Sequence, residues 1–355
     1  MKILCYSDNH WCQYSSILRK RGDEYSLRLD NQIKSINWAE DLAEKLNCRM
    51  IVHCGDFFDK ESLNSMEITA LNDLFFCDNA EHIMLVGNHE IGINTSEFSS
   101  THLFGLKDTF SIINEPRILE LDEDTQLCFL PYILEYNREP LNSYFVDTNK
   151  KRIIFSHNDI AGITLGKFIT KNGFSISEIE DCCDLFINGH IHNESRISSK
   201  IFNIGNLTGQ NFSEDGFVYD HCVFVIDTVT LKIDVYKNPY AINFYKVDFT
   251  ENDSIEYINE ISSKMKNAVV TIRCKEKNYE YLKKRFGSEV DELVPHHNSI
   301  IECRFIIVPD NTDEETVMEN NLQLSVDHIK EFKNYILQEL GSLDIVKEEI
   351  EEILK

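Results

Sequence analysis

Short apolar runs that each stop at a polar cluster constrain this chain more than any other feature. Five runs do so. Ile3-Leu4-Cys5-Tyr6 leads into Asp8-Asn9-His10, and Met50-Ile51-Val52-His53-Cys54 into Gly55-Asp56-Phe57-Phe58-Asp59. Ile83-Met84-Leu85-Val86 leads into Gly87-Asn88-His89-Glu90, Arg152-Ile153-Ile154-Phe155 into Ser156-His157-Asn158, and Leu185-Phe186-Ile187 into Gly189-His190-Ile191-His192. Apolar runs of this length bounded by turn residues read as buried strands. Side chains at the carboxyl ends of adjacent strands converge in one crevice, so the five clusters are expected to meet.

Between the first two runs, Ile33, Ile36, Ala39, Leu42, Ala43 and Leu46 recur at helical spacing, predicting a helix over 29–46 and a β-α-β unit. A second helix is expected over 64–76. Beyond Pro116 the pattern changes to strands at 126–130, 201–204, 217–226 and 231–236. That sequence of elements predicts an α/β fold of two stacked mixed β-sheets flanked by helices. Asn238-Pro239 marks a boundary, because proline after a strand breaks pairing. The expected division is a catalytic domain over 1–238, a small α/β cap over 239–309 and an acidic helical pair over 310–355. In that pair Val326, Ile329, Phe332, Ile336 and Leu340 form one apolar stripe, and Val346 and Ile350 belong to a second.

The clusters carry the donor types that two hard divalent cations need: carboxylate, imidazole and amide oxygen, with one carboxylate shared by both ions. Asp8-x-His10 and His190-x-His192 each turn two side chains to one face of a strand end, since strand side chains alternate. Asp56 stands where one carboxylate reaches both ions, Asn88 offers an amide oxygen, and His157 completes the set. Such a pair of cations clamps a phosphodiester and activates water. His89, beside the ligand Asn88 but not needed as one, is read as the proton donor to the departing oxygen. Asp59 and Glu90 are read as groups that orient the imidazoles and Asn88.

In order and interval these clusters resemble the calcineurin-like metallophosphoesterase signature: Asp-x-His, Gly-Asp-x-x-Asp, Gly-Asn-His-Asp/Glu, His and Gly-His-x-His. The resemblance implies one ion on Asp8, His10, Asp56 and His192, the other on Asp56, Asn88, His157 and His190, and proton donation by His89. Within that superfamily the chain looks most like SbcD-type DNA repair and recombination nucleases of the compact phage kind. The first motif lies within ten residues of the amino terminus, Ile204-Gly205-Asn206-Leu207-Thr208 resembles the Gly-Ser/Thr loop, and a cap and acidic helices follow. This resemblance implies two divalent ions with manganese preferred, and exonuclease action on double-stranded and endonuclease action on single-stranded DNA. It also implies an SbcC-type SMC-like ATPase partner bound through the carboxyl-terminal stripes, and a homodimer within a heterotetramer. Two positions depart from the pattern. Trp11-Cys12 replaces the common Leu-Gly, which bears on the substrate groove, and Asp59 replaces a frequent histidine, which bears on a supporting contact.

With 35 Lys and Arg against 60 Asp and Glu, the chain is not a protein coated in basic charge to hold nucleic acid. Distribution matters more than the total. Residues 264–285 hold eight basic and two acidic residues, whereas 310–355 hold four basic and thirteen acidic. Arg273, Lys275, Lys283, Lys284 and Arg285, and separately Arg19-Lys20-Arg21 beyond the first motif, are therefore candidate phosphate contacts. The remaining histidines read as core or surface residues. Eleven scattered cysteines without a Cys-x-x-Cys pair fit a reducing cytosol, that of a bacterial host cell if the chain is phage-encoded. No run is long and apolar enough to span a membrane, so no membrane partner is expected. A stand-alone phosphatase or phosphodiesterase and a metal-free scaffold of the same fold are the competing readings. The 118 residues after Lys237 argue against the first, and the complete ligand set against the second.

Overall fold

The structure, a computed structural model, describes residues 1–14, 17, 23–92, 95–146, 148–165, 168–286 and 300–309. Arg19, Lys20 and Arg21 and the stripe residues Val326, Ile329, Phe332, Ile336, Leu340, Val346 and Ile350 lie outside these.

Strands β1 (Lys2–Tyr6), β2 (Met50–His53), β3 (Glu81–Leu85) and β4 (Phe110–Ile113) pair in parallel. β5 (Arg117–Glu120), β6 (Thr125–Leu130), β7 (Lys151–Ser156), β8 (Leu185–Asn188), β9 (Ser195–Arg196) and β10 (Ile201–Asn203) build the second sheet, in the order β9-β10-β8-β7-β6-β5. The chain then returns to the first sheet through β11 (Cys222–Asp227), antiparallel to β1, and β12 (Ile233–Lys237), giving the order β12-β11-β1-β2-β3-β4. Both sheets are mixed, and they stack. Ile3, Cys5, Val52, Leu85 and Phe224 of one meet Leu127, Phe129, Ile153, Phe155 and Ile187 of the other in a fully buried layer. This explains the unbroken apolar runs: their other faces are buried too.

On the outside of the first sheet, α1 (Leu27–Lys45) packs Leu29, Ile36, Ala39 and Ala43 against Leu4, Tyr6, Ile51 and Met84. Its start is set by Ser26, whose hydroxyl accepts from the Leu29 amide at 3.2 Å. The second sheet is covered by α3 (Ile176–Cys182), which begins with a Ser175–Glu178 capping box. The expected helix over 64–76 is shorter: α2 (Ser65–Ala70) gives way to a single 3₁₀ turn, Leu71–Asp73. Asn37 of α1 stops it, donating to the Asp73 carbonyl at 3.0 Å and accepting from the Phe75 amide at 2.8 Å. The strand expected from Phe217 begins only at Cys222, because the Val218 and Tyr219 amides are taken up by the Asp215 carbonyl in a turn.

β13 (Asn243–Asp248), β14 (Ala268–Lys275) and β15 (Ile300–Val308) form a three-stranded sheet, with α4 (Ile255–Lys264) and α5 (Tyr279–Phe286) in the intervening segments. The chain resolves into two compact units. The first contains Met1–Lys246, Asn259–Val270 and residues 300–303. The second contains Val247–Ile258 and residues 271–286 and 304–309, with the Phe249 ring 5.9 Å from both Tyr257 and Phe286. Among the described residues no helix is long and apolar enough to cross a membrane.

Candidate metal centre

All five polar clusters lie in the first unit, just past β1, β2, β3, β7 and β8, the strands that carry the apolar runs. The turns that follow are tight. Asp8, His10, Asp56 and His190 adopt φ of 51°, 47°, 53° and 71°, in the left-handed region that side chains other than glycine seldom occupy. Glycine is required where turns touch. A Cβ on Gly87 would fall on the Asp56 carboxylate, and one on Gly55, itself at φ +88°, on the His157 ring.

The expected ligands form two groups whose donor atoms lie within 4.8 Å of one another, Asp8, His10 and His192, and Asp56, His157 and His190, and a third such set joins His10 to Asp59 and His89. In the first, His10 Nε2 stands 3.2 Å from His192 Nε2, 3.9 Å from Asp8 Oδ1 and 3.8 Å from Asp56 Oδ2. In the second, His157 Nε2 stands 3.1 Å from Asp56 Oδ2 and 3.2 Å from Asn88 Oδ1, and His190 Nδ1 stands 2.9 Å from that same amide oxygen. Asp56 thus reaches toward both groups, and its other oxygen accepts from the His89 amide at 3.0 Å.

Each ring is fixed through its far nitrogen. His157 Nδ1 donates to the Cys54 carbonyl at 2.6 Å, and His10 Nδ1 faces Asp59 Oδ1 at 3.0 Å. His192 Nδ1 lies 3.2 Å from Glu214 Oε1, and His190 Nε2 lies 3.2 Å from Asp159 Oδ1. With the ring protons on those outer nitrogens, His10 Nε2 and His192 Nε2 face each other lone pair to lone pair at 3.2 Å, as do His190 Nδ1 and the Asn88 amide oxygen at 2.9 Å. Asp8 Oδ1 is buried without a hydrogen-bond partner. Converging imidazole, carboxylate and amide donors fit divalent cations.

Electrostatics support the same fit. Burial alone would raise the Asp56 carboxyl, but His157, His10 and His89 around it hold it well below the usual carboxylate range. Burial disfavours charge on His157, yet Asp56 pushes that imidazole up to about 9. The pair therefore holds a proton where a cation would stand. His10 goes the other way: burial outweighs Asp59 and lowers it.

The remaining site residues play unlike parts. His89 is 43% exposed, edge-on to His10 at 4.5 Å, with Nδ1 3.0 Å from the Asp59 carbonyl, which leaves Nε2 for a substrate. Asp59 lies against the outer nitrogen of His10. Glu90 orients neither an imidazole nor Asn88: it accepts from the Gly87 amide at 2.7 Å and the Phe58 amide at 3.0 Å, so it ties two turns together. Burial, then the Asp56 charge, push its carboxyl up to about 8. Trp11 is fully buried, with Nε1 donating to the Glu67 carbonyl at 3.0 Å, so its ring is core. Asp159 and Glu214 were absent from the sequence reading. Asp159 directly follows the fourth cluster, which is a usable signal, whereas Glu214 is 22 residues beyond His192 in an irregular loop.

The basic residues Arg273, Lys275, Lys283, Lys284 and Arg285 all belong to the second unit. Arg273 and Lys275 share the half-buried face of β14, and Arg273 is ion-paired to Asp248 at 2.9 Å. Lys283 reaches over the Tyr279 ring at 5.9 Å.

Fold and crevice together define an α/β sandwich with candidate metal-binding side chains gathered at the carboxyl ends of its strands. The calcineurin-like phosphoesterase profile matches residues 1–194. The chain belongs to that family, whose members use divalent metals for phosphoester hydrolysis. No curated protein sequence matches it. Among solved structures it is similar to a novel archaeal phosphodiesterase, at 17% identity and TM-score 0.35, covering 67% of this chain and 99% of that one. It is also similar to the calcineurin-like phosphoesterase YfkN from Bacillus subtilis, at 13% identity and TM-score 0.34, covering 67% and 88%.

Proposed function

We propose that the chain is a two-metal DNA nuclease subunit, exonucleolytic on double-stranded and endonucleolytic on single-stranded DNA, acting with an SbcC-type SMC-like ATPase. The observation that carries the hydrolytic part is the meeting of Asp8, His10, Asp56, Asn88, His157, His190 and His192, with Nε2 of His10 against Nε2 of His192 and the Asn88 oxygen between His157 and His190. Two divalent cations held there, Mn²⁺ by preference, would polarise the phosphoryl oxygens and activate water near neutral pH. The chain's own contribution is positional: Asp56 reaches both groups, Asn88 spans His157 and His190, and the outer hydrogen bonds hold the rings still. His89 is accessible while the ligands around it are largely buried, and its Nε2 gives a proton to the departing oxygen.

The nuclease reading adds the resemblance of the clusters to SbcD-type proteins, the 118 residues beyond Lys237 and the basic residues of the second unit. Homodimerisation and docking of the ATPase on the acidic carboxyl-terminal segment belong to the same proposal. The test is Mn²⁺-dependent cleavage of linear duplex DNA, circular single-stranded DNA and bis-p-nitrophenyl phosphate by the full chain, with and without the co-purified ATPase. Cleavage of all three is expected. Hydrolysis of the small diester without cleavage of either DNA under any condition would identify a phosphodiesterase of small substrates instead.

A further inference from the structure

Two buried or half-buried carboxylates outside the five clusters touch the metal-binding histidines, and each touches only one. Glu214 is 3% exposed and lies in the loop between β10 and β11. One of its oxygens faces His192 Nδ1 at 3.2 Å, and the other accepts from the Gln210 amide at 2.8 Å. Gln210 in turn donates through Nε2 to the Asp8 carbonyl at 3.1 Å, so the loop grips both ends of one donor group. Asp159 is held differently. Its carbonyl accepts from the Phe174 amide at 3.1 Å, and Gly173 packs so closely that a Cβ there would overlap the Asp159 backbone. Its carboxylate faces His190 Nε2 at 3.2 Å.

We propose that Glu214 and Asp159 are positioning residues that set the two cation sites separately. Glu214 fixes His192 for the ion shared with Asp8 and His10, and Asp159 fixes His190 for the ion shared with Asn88 and His157. An outer carboxylate of this kind holds ring orientation and raises the basicity of the inner nitrogen, and its loss typically weakens metal affinity by about 10–100-fold. Because the two carboxylates touch different rings, each loss falls on one ion. This rests on the two-metal reading above.

The test is calorimetric titration of the metal-free full chain with Mn²⁺, for wild type, Glu214→Ala, Glu214→Gln, Asp159→Ala and Asp159→Asn. Wild type is expected to bind two ions. Each alanine variant is expected to keep one at wild-type affinity and to weaken the other by about 10–100-fold, the amides recovering part of the loss because their oxygens still accept the ring proton. Backgrounds assign the ion: the effect of Glu214→Ala is expected to vanish in His192→Ala and persist in His190→Ala, with Asp159→Ala behaving in reverse. Equal weakening of both ions, or an effect of Glu214→Ala that survives His192→Ala, overturns the assignment while leaving two-metal binding intact. Failure of wild type to bind two ions overturns the underlying reading instead. Melting curves in chelator separate misfolding from lost positioning, since a folded variant with wild-type titration also overturns the proposal.

Discussion

The two halves of the crevice are built from different materials. In the half formed by Asp8, His10 and His192, both rings are steadied by side-chain carboxylates, Asp59 and Glu214, and an Asp8 oxygen is left with no partner. In the half formed by Asp56, Asn88, His157 and His190, one ring is steadied by a backbone carbonyl, and Asp56 with His157 already shares a proton. Burial lowers His10 in the first half while Glu214 raises His192 there against its burial, and in the second half Asp56 raises His157 further, to about 9. The two halves therefore do not take up a cation alike.

Asp56 joins the halves, so its loss should have the largest effect. Asp56→Asn is expected to abolish tight Mn²⁺ binding at both positions and to bring diester hydrolysis to background; calorimetry showing two ions at normal affinity would break the bridging role. His89→Ala is next: both ions stay, and turnover falls by about 10²–10⁴-fold, as loss of a general acid does. Unchanged single-turnover rates would remove His89 from the chemistry.

The pH dependence sharpens the contrast directly. His157 is raised to about 9, so at pH 7 it is protonated and must deprotonate to bind a cation, and affinity in its half should rise with pH toward 9. Burial lowers His10 below its ordinary value, whereas Glu214 raises His192 against its burial, so in that half only His192 holds a proton against a cation and affinity should level off at a lower pH than in the other. Titration in buffers of different ionisation enthalpy measures the protons released, and equal release from both ions would erase the distinction. Gly87→Ala should act on the Asp56 side first, costing about 1–3 kcal/mol of stability through overpacking and weakening that half, as read by melting temperature and Mn²⁺ titration.

The smallest effect lies behind the crevice. His53 is as buried as His157, but both its ring nitrogens lack partners, and burial lowers it to about 3. A lowered histidine leaves stability intact above its unfolded value near 6.5 and drains it as pH falls toward 3. His53→Phe should flatten that part of the melting-temperature profile. An unchanged acid slope would show that burial without a partner is not what separates His53 from His157.

These contrasts also mark what could be read before the fold was known. The strand-end clusters were legible because each is contiguous, a strand running straight into a tight turn and its ligands, although left-handed turn backbone and not strand alternation brings Asp8 beside His10 and His190 beside His192. The stacked sheets followed from apolar runs with no polar alternate face. Outer supports were less visible. Glu214 reaches His192 only because an irregular loop returns to the crevice, and no periodicity marks a carboxylate in a loop. Glu90 was misread because adjacency to Asn88 suggests a side-chain contact, whereas the turn aims it at two backbone amides. Trp11-Cys12 departs from the family pattern beside the groove, but the size and apolarity of the Trp11 ring take it into the core.

Asp8, His10, Asp56 and His190 all sit on left-handed backbone, a conformation that glycine adopts without penalty and they do not. Exchanging any of them for glycine would relax the chain locally while discarding a donor. Selection for heat resistance alone would thus favour inert descendants of this protein, and any campaign to make it sturdier has to score cation uptake alongside melting.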